Sequence, residues 1–103
     1  LLTAYCRGGY QQGSSFATRM FAPLHGVPED PATGSSASAL AAYLRHHQLI
    51  GDCGDDWLGL DQGYSIARPS LIMLRANQDA ATGGITVNVG GNVVATASGV
   101  YEI

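Results

Sequence analysis

Pro31-Ala32-Thr33-Gly34-Ser35-Ser36-Ala37-Ser38-Ala39-Leu40-Ala41-Ala42-Tyr43-Leu44 is a run of fourteen residues without one charged side chain. Within it begins the clearest helix of the sequence, residues 35–48 (SSASALAAYLRHHQ). Ala and Leu are strong helix formers, and Thr33, Ser35 or Ser36 is placed to cap the start. Ala37, Leu40, Ala41 and Leu44 stand at i, i+3, i+4 and i+7, which is one face of a helix. The opposite face is hardly more polar. A surface helix carries a charged side, so the pattern predicts a helix buried nearly all round, with Tyr43 in the core. Positive charge arrives only at Arg45, followed by His46 and His47, where it suits the helix dipole, and Gly51 is the expected stop.

Outward from the helix the chain reads as strands. Residues 1–7 and 16–21 predict a first pair joined by the turn-rich GGYQQGSS. The segment APLHGVPEDPATG holds three prolines and two glycines, so no regular structure is expected in it. Residues 51–63 (GDCGDDWLGLDQG) read as an acidic, Gly-rich loop. Further strands are expected at 64–68, 70–75, 84–89, 92–98 and 100–103, with Gly90-Gly91 as a hairpin turn and Pro69 fixing a strand start. One helix without a polar side and six or seven strands have one economical solution. The expected fold is α+β, a mostly antiparallel β-sheet or barrel wrapped around a central buried helix, as a single domain over 1–103.

Composition bounds the function. The chain has 103 residues, 46% of them hydrophobic and only 13% charged, which excludes a disordered segment. Its net charge is −3 and all five basic residues are Arg, so nucleic acid is not an expected partner. No apolar run approaches the roughly 20 residues of a membrane helix. Cys6 and Cys53 are the only cysteines and read as free thiols, in keeping with a cytoplasmic location. A zinc site with His46 and His47 is disfavoured, because neighbouring helical histidines point about 100° apart. Asp52, Asp55 and Asp56 lack the alternating ligands and closing Glu of a calcium loop. No metal and no cofactor is expected.

The stretch that carries chemistry is Glu29-Asp30-Pro31-Ala32-Thr33-Gly34-Ser35-Ser36. Free N–H groups of a helix's first turn bind anions, and Gly34 lets a ligand come close to the backbone. A small carboxylated molecule fits such a pocket, with Asp30 as an acid or base beside it. The local pattern alone also allows a plain alternative, in which Asp30, Thr33 or Ser35 only caps the helix.

Arg19-Met20-Phe21-Ala22-Pro23, Gly26-Val27, the run EDPATGSSASALAAYL, Gln62-Gly63, Arg68-Pro69-Ser70 and the closing Val89-Gly90-Gly91-Asn92-Val93-Val94 together resemble the second lobe of the phenazine-biosynthesis PhzF-like family, over roughly residues 5–103. The resemblance implies one lobe of a diaminopimelate epimerase-like fold, in which two lobes, each a sheet around a helix, enclose the active site. It implies a cofactor-independent isomerase working by proton transfer. Asp30 and Ser35 are then the catalytic residues, and Thr33, Gly34 and Ser36 bind the substrate carboxylate. A Glu from a first lobe would act as proton shuttle. Glu29 and Glu102 are the only glutamates here, and neither matches that position. Pro31 stands where related epimerases carry a catalytic Cys, and neither Cys6 nor Cys53 adjoins the motif, so two-thiol chemistry is not expected.

Three further residues have open readings. His25 is either an exposed loop residue or an aid to proton transfer. Arg68 pairs with Asp61 or a ligand, or is structural. Gln62 and Gly63 shape either the pocket floor or, on the stronger reading, a turn. The chain opens on Leu1 rather than Met, which with the resemblance reads as a start in the middle of a two-lobed protein. The chain alone is then expected to be inactive, completed by a first lobe. The alternative is a non-catalytic module that forms a homodimer through the face a first lobe would cover.

Overall fold

A computed structural model describes all of residues 1–103. Six strands and one helix follow in the order β1 Leu2–Arg7, β2 Ser14–Ala22, β3 Val27–Asp30, α1 Gly34–His46, β4 Leu58–Gln62, β5 Ser70–Gln78 and β6 Ile85–Gly90. Short 3-10 turns cover Pro23–His25 and Tyr64–Ile66. The strands make one sheet in the order β1-β2-β4-β5-β6, with β3 attached to β2. Every pairing is antiparallel except β2 with β4, whose connection contains α1. The fold is α+β, a mostly antiparallel sheet with one helix packed against it.

Register explains the position of the site. One edge of β2 is taken by β1, from Leu2↔Phe21 to Arg7↔Phe16. The other edge is shared. β4 lies along its first part, with Thr18 opposite Gln62, and β3 along its last part, with Met20 opposite Asp30. The end of β3 and the end of β4 therefore meet two residues apart on β2, beside the start of α1.

The core lies between α1 and the sheet. Ala37, Leu40, Ala41 and Leu44 pack on Phe16, Leu60 and the alternating Ile72, Leu74 and Ala76 of β5, and β6 adds Ile85, Val87 and Val89 at its margin. Burying each large apolar side chain is worth about 1.5–3 kcal/mol, so this seam carries the stability of the helix. The expected helical face is the buried one. The rest of the helix is not enclosed: Ala39 is exposed and Tyr43 is 48% exposed, because the sheet covers one side of α1 and leaves the other open. Tyr43 instead makes edge contacts with Tyr5 and His47. The helix stops at Gln48, whose φ of 56° is left-handed, rather than at Gly51, and the Leu49 N–H closes it on the Leu44 carbonyl at 2.8 Å.

Several other expectations are corrected. Residues 58–62 form a central strand rather than a loop, and residues 64–68, expected as a strand, hold the 3-10 turn Tyr64–Ile66 and no strand. Val27–Asp30 pairs as a short strand despite its proline, which sits at the sheet margin where a missing N–H is tolerated. Gly90-Gly91 makes no hairpin. Neither glycine has a positive φ, and Gly91 runs on past the Leu71 carbonyl. The tight turn is at Asp79–Gly84, where Gly83 takes φ 72° and the Asp79 carboxylate accepts the Ala81 and Thr82 N–H groups. Residues 92–103 pair with no strand and are exposed throughout.

Candidate active site

The junction of β3, β4 and α1 is a closed hydrogen-bond network. Gln62 is 1% exposed. Its Nε2 donates to the Asp30 carbonyl at 2.8 Å and to Thr33 Oγ1 at 2.9 Å. Its Oε1 accepts from the Thr33 N–H at 3.4 Å and from Thr18 Oγ1 at 3.5 Å. The Thr33 hydroxyl in turn donates to Asp30 Oδ2. Asp30 Oδ1 accepts no bond from the chain, and Asp30 forms no ion pair.

Thr33 occupies the N-cap position of α1, yet its hydroxyl does not cap the helix. It is turned to Asp30, and its N–H to Gln62. The intrahelical ladder begins with the Ala37 N–H on the Thr33 carbonyl at 3.0 Å. The N–H groups of Gly34, Ser35 and Ser36 therefore have no helical acceptor. Gly34 faces open space, since a Cβ there would meet nothing within 4 Å. No packing within the chain accounts for a glycine at this position. Beside Ser35 and Ser36 lies a cleft of about 310 Å³, lined also by Thr3, Met20, Thr33 and Ala39 among others. Thr3 Oγ1 and Ser36 Oγ share a hydrogen bond of 2.6 Å across it. A further groove of about 350 Å³ shares Thr3, Ser36 and Ala39 and leads on to Tyr5 and Tyr43.

Gly63 locks the loop from below. Its φ is 82°, and a Cβ would stand 2.1 Å from the Arg68 carbonyl oxygen and 2.8 Å from that of Pro31. Of the two open readings of Gln62-Gly63 the turn is the one seen: Gly63 makes it, and Gln62 lies buried behind Asp30 and Thr33 without lining a cleft.

The second acid of the motif is engaged elsewhere. Arg19 grips Glu29 with two bonds, Nε to Oε1 at 3.1 Å and Nη2 to Oε2 at 2.9 Å. These hydrogen bonds to Arg19 hold the Glu29 carboxyl below the usual carboxylate range. Asp30 is left as the acid that faces the helix start. Arg68 is exposed and makes no ion pair, so its suggested pairing with Asp61 is not formed. Asp61 is fully buried on the other face of β4, where it accepts from Ser14 Oγ at 2.8 Å and the Gln11 N–H at 2.9 Å. His25 is exposed at the far end of β3 from Asp30. Cys6 on β1 and Cys53 in the 51–57 loop are free thiols. No group of three or more His, Cys, Asp or Glu side chains is arranged to hold a metal ion. No helix is long and apolar enough to cross a membrane.

The sequence motif thus brings Thr33, Ser35 and Ser36 to one cleft, while Asp30 and Gly34 stand next to them in the chain without lining it. Thr3 and Met20, which line the cleft, and Gln62, buried behind Thr33, are the residues that the motif does not reveal. Only the Gln-Gly pair gave a local signal, and its contact with Asp30 spans 32 residues.

The strand–helix junction thus sets one carboxylate, that of Asp30, next to the start of α1, where three backbone N–H groups have no helical acceptor. The family model of phenazine biosynthesis-like proteins, PhzC-PhzF, matches residues 3–99, and the chain belongs to this family. It is 41% identical over 87 residues to the trans-2,3-dihydro-3-hydroxyanthranilate isomerase of Pseudomonas aeruginosa, covering 84% of this chain and 30% of that protein. It is 38% identical over 97 residues to an uncharacterized isomerase of Mesorhizobium japonicum, covering 92% of this chain and 31% of the relative. An uncharacterized isomerase of Schizosaccharomyces pombe is 35% identical over 100 residues, with 93% of this chain and 52% of that protein covered. The chain spans about a third of the length of the first two relatives.

Proposed function

We propose that this chain carries one half of an isomerase active site that moves a proton on a small carboxylated substrate. The observation that carries the reading is the state of Asp30: one oxygen bonded to Thr33 and the other unpartnered, beside the free amides of Gly34, Ser35 and Ser36. In this scheme those amides and the helix dipole hold the substrate carboxylate, and the Ser35 hydroxyl adds a donor. Asp30 Oδ1 exchanges the proton. No cofactor is needed for a transfer between carbon acids and a carboxylate. The second acid–base group comes from polypeptide beyond this chain, which the matched relatives possess in their additional length. The free thiols fit a cytoplasmic protein.

The test is turnover of trans-2,3-dihydro-3-hydroxyanthranilate by the purified 103-residue chain. None is expected from the chain alone, and appreciable turnover without a second polypeptide would show that this half needs no partner group.

A second reading rests on the open side of α1. Ala39 and Tyr43 of α1, together with Thr3 and Tyr5 of β1, form an uncharged face next to the unpaired edge of β1. Such a face favours self-association as a homodimer. Sedimentation decides: a monomer at high concentration excludes it.

A further inference from the structure

The side-chain amide of Gln62 has a single self-consistent orientation. Its NH₂ faces two acceptors, the Asp30 carbonyl and Thr33 Oγ1, and its oxygen faces two donors, the Thr33 N–H and the Thr18 hydroxyl. Turning the amide over would set carbonyl against carbonyl and NH₂ against N–H. Because Thr33 Oγ1 already accepts from Gln62, its one proton is left for Asp30 Oδ2. We propose that Gln62 is a positioning residue for Asp30, acting through the Thr33 hydroxyl. It dictates the direction of that proton, keeps Oδ2 engaged, and so leaves Oδ1 as the one oxygen of Asp30 that meets a ligand.

Gln62 is suited to this by its place in the sheet. It is buried on β4, held between β2 and β5 at Thr18 and Ser70, and so is fixed independently of the 30–33 loop. A rigid strand thereby sets the orientation of a carboxylate carried at the end of a short one. Gln62 is buried whereas Asp30 is half-buried and Gly34 exposed, which separates it from the groups that can touch a ligand. The role assigned to Gln62 rests on the acid–base reading of Asp30 given above.

The test uses the full chain with anthranilate as probe, whose carboxylate suits the helix-start amides and whose amine suits Asp30 Oδ1. Binding is read by NMR from the Gly34, Ser35 and Ser36 amides for wild type, Gln62→Met, Thr33→Val and the double variant. Each single change is expected to weaken binding about tenfold, and the double also about tenfold, since both cut the same relay. Thr33→Ser, which keeps the hydroxyl, should bind as wild type does. Independently of any variant at 62, the Gln62 Nε2 protons of the wild type should exchange slowly with water, and Thr33→Val should shift them. A double variant about a hundredfold weaker, or Nε2 protons that exchange like those of a solvated Gln, overturns the positioning role while leaving the site reading intact. Absence of any amide shift at 34–36 in the wild type overturns the site reading and the positioning role with it.

Discussion

The carbonyl oxygen of Pro31 crowds the backbone of Gly63, standing only 2.8 Å from the Cβ position that glycine lacks. This contact joins the two separated motifs of the sequence, the Asp-Pro-Ala-Thr-Gly loop and the Gln-Gly pair, into one piece of structure. Gly63→Ala should therefore be costly twice over. It forces a left-handed φ on a residue with a Cβ, and it drives that atom into backbone rather than a movable side chain. The expected loss is at least about 2 kcal/mol of unfolding free energy, measured by urea denaturation, with Gly34→Ala within about 0.5 kcal/mol because its Cβ meets open space.

The two faces of α1 should respond in opposite ways. Leu44 is 1% exposed and packs in the core, so Leu44→Ala is expected to cost about 2–5 kcal/mol. Tyr43, its sequence neighbour, should cost less than about 1 kcal/mol on truncation to Ala, since only edge contacts are lost. Equal losses at the two positions would mean that the open side of α1 is in fact covered.

Acid should weaken the fold through Glu29 and Asp52. Hydrogen bonds from Arg19 hold Glu29 low, and bonds from Arg45 and the Gln78 N–H hold Asp52 low. A depressed folded-state value means that the stabilisation is present above the ordinary carboxylate range. It disappears as pH falls through the lower, folded-state value. Wild type should exceed Glu29→Gln in melting temperature at neutral pH, with the gap closing below the usual carboxylate range. Added salt should narrow the neutral-pH gap as well, because Arg19 is half exposed.

Residues 92–103 should be dispensable for folding. They form no ladder, and Val93, Val94, Val100, Tyr101 and Ile103 are all exposed. A chain ending at Gly91 is expected to melt within a few degrees of the full one in calorimetry. A large drop would show that the segment pairs with the sheet.

What was legible in the sequence follows from periodicity. The helix and β5 announce themselves through 3.6- and 2-residue repeats of apolar side chains, as Leu40-Leu44 and Ile72-Leu74-Ala76 illustrate. β4 was hidden because Gly59, Asp61 and Gln62 are poor strand formers. They are stable there because Asp61 finds Ser14 and Gln11 on one face of the sheet and Gln62 finds Thr33 on the other. Val93 and Val94 misled in the opposite sense: their composition suits a strand, but no neighbouring edge takes them. The all-round burial of α1 was inferred from missing charge, and missing charge marks an uncovered apolar side equally well. At the site, the local motif disclosed Asp30 and the helix start. The role of Gln62 depends on β3 and β4 sharing one edge of β2, which no local pattern encodes.

The most direct measurement of the central claim is a titration of the ¹⁵N-labelled chain with trans-2,3-dihydro-3-hydroxyanthranilate, comparing wild type with Asp30→Asn. The account predicts that the largest amide shifts fall at Gly34, Ser35 and Ser36, that Arg68 and His25 stay still, and that Asp30→Asn changes the shifts at these same amides while its melting temperature stays close to wild type. Shifts centred on another surface, or a response identical in the two proteins, would contradict it.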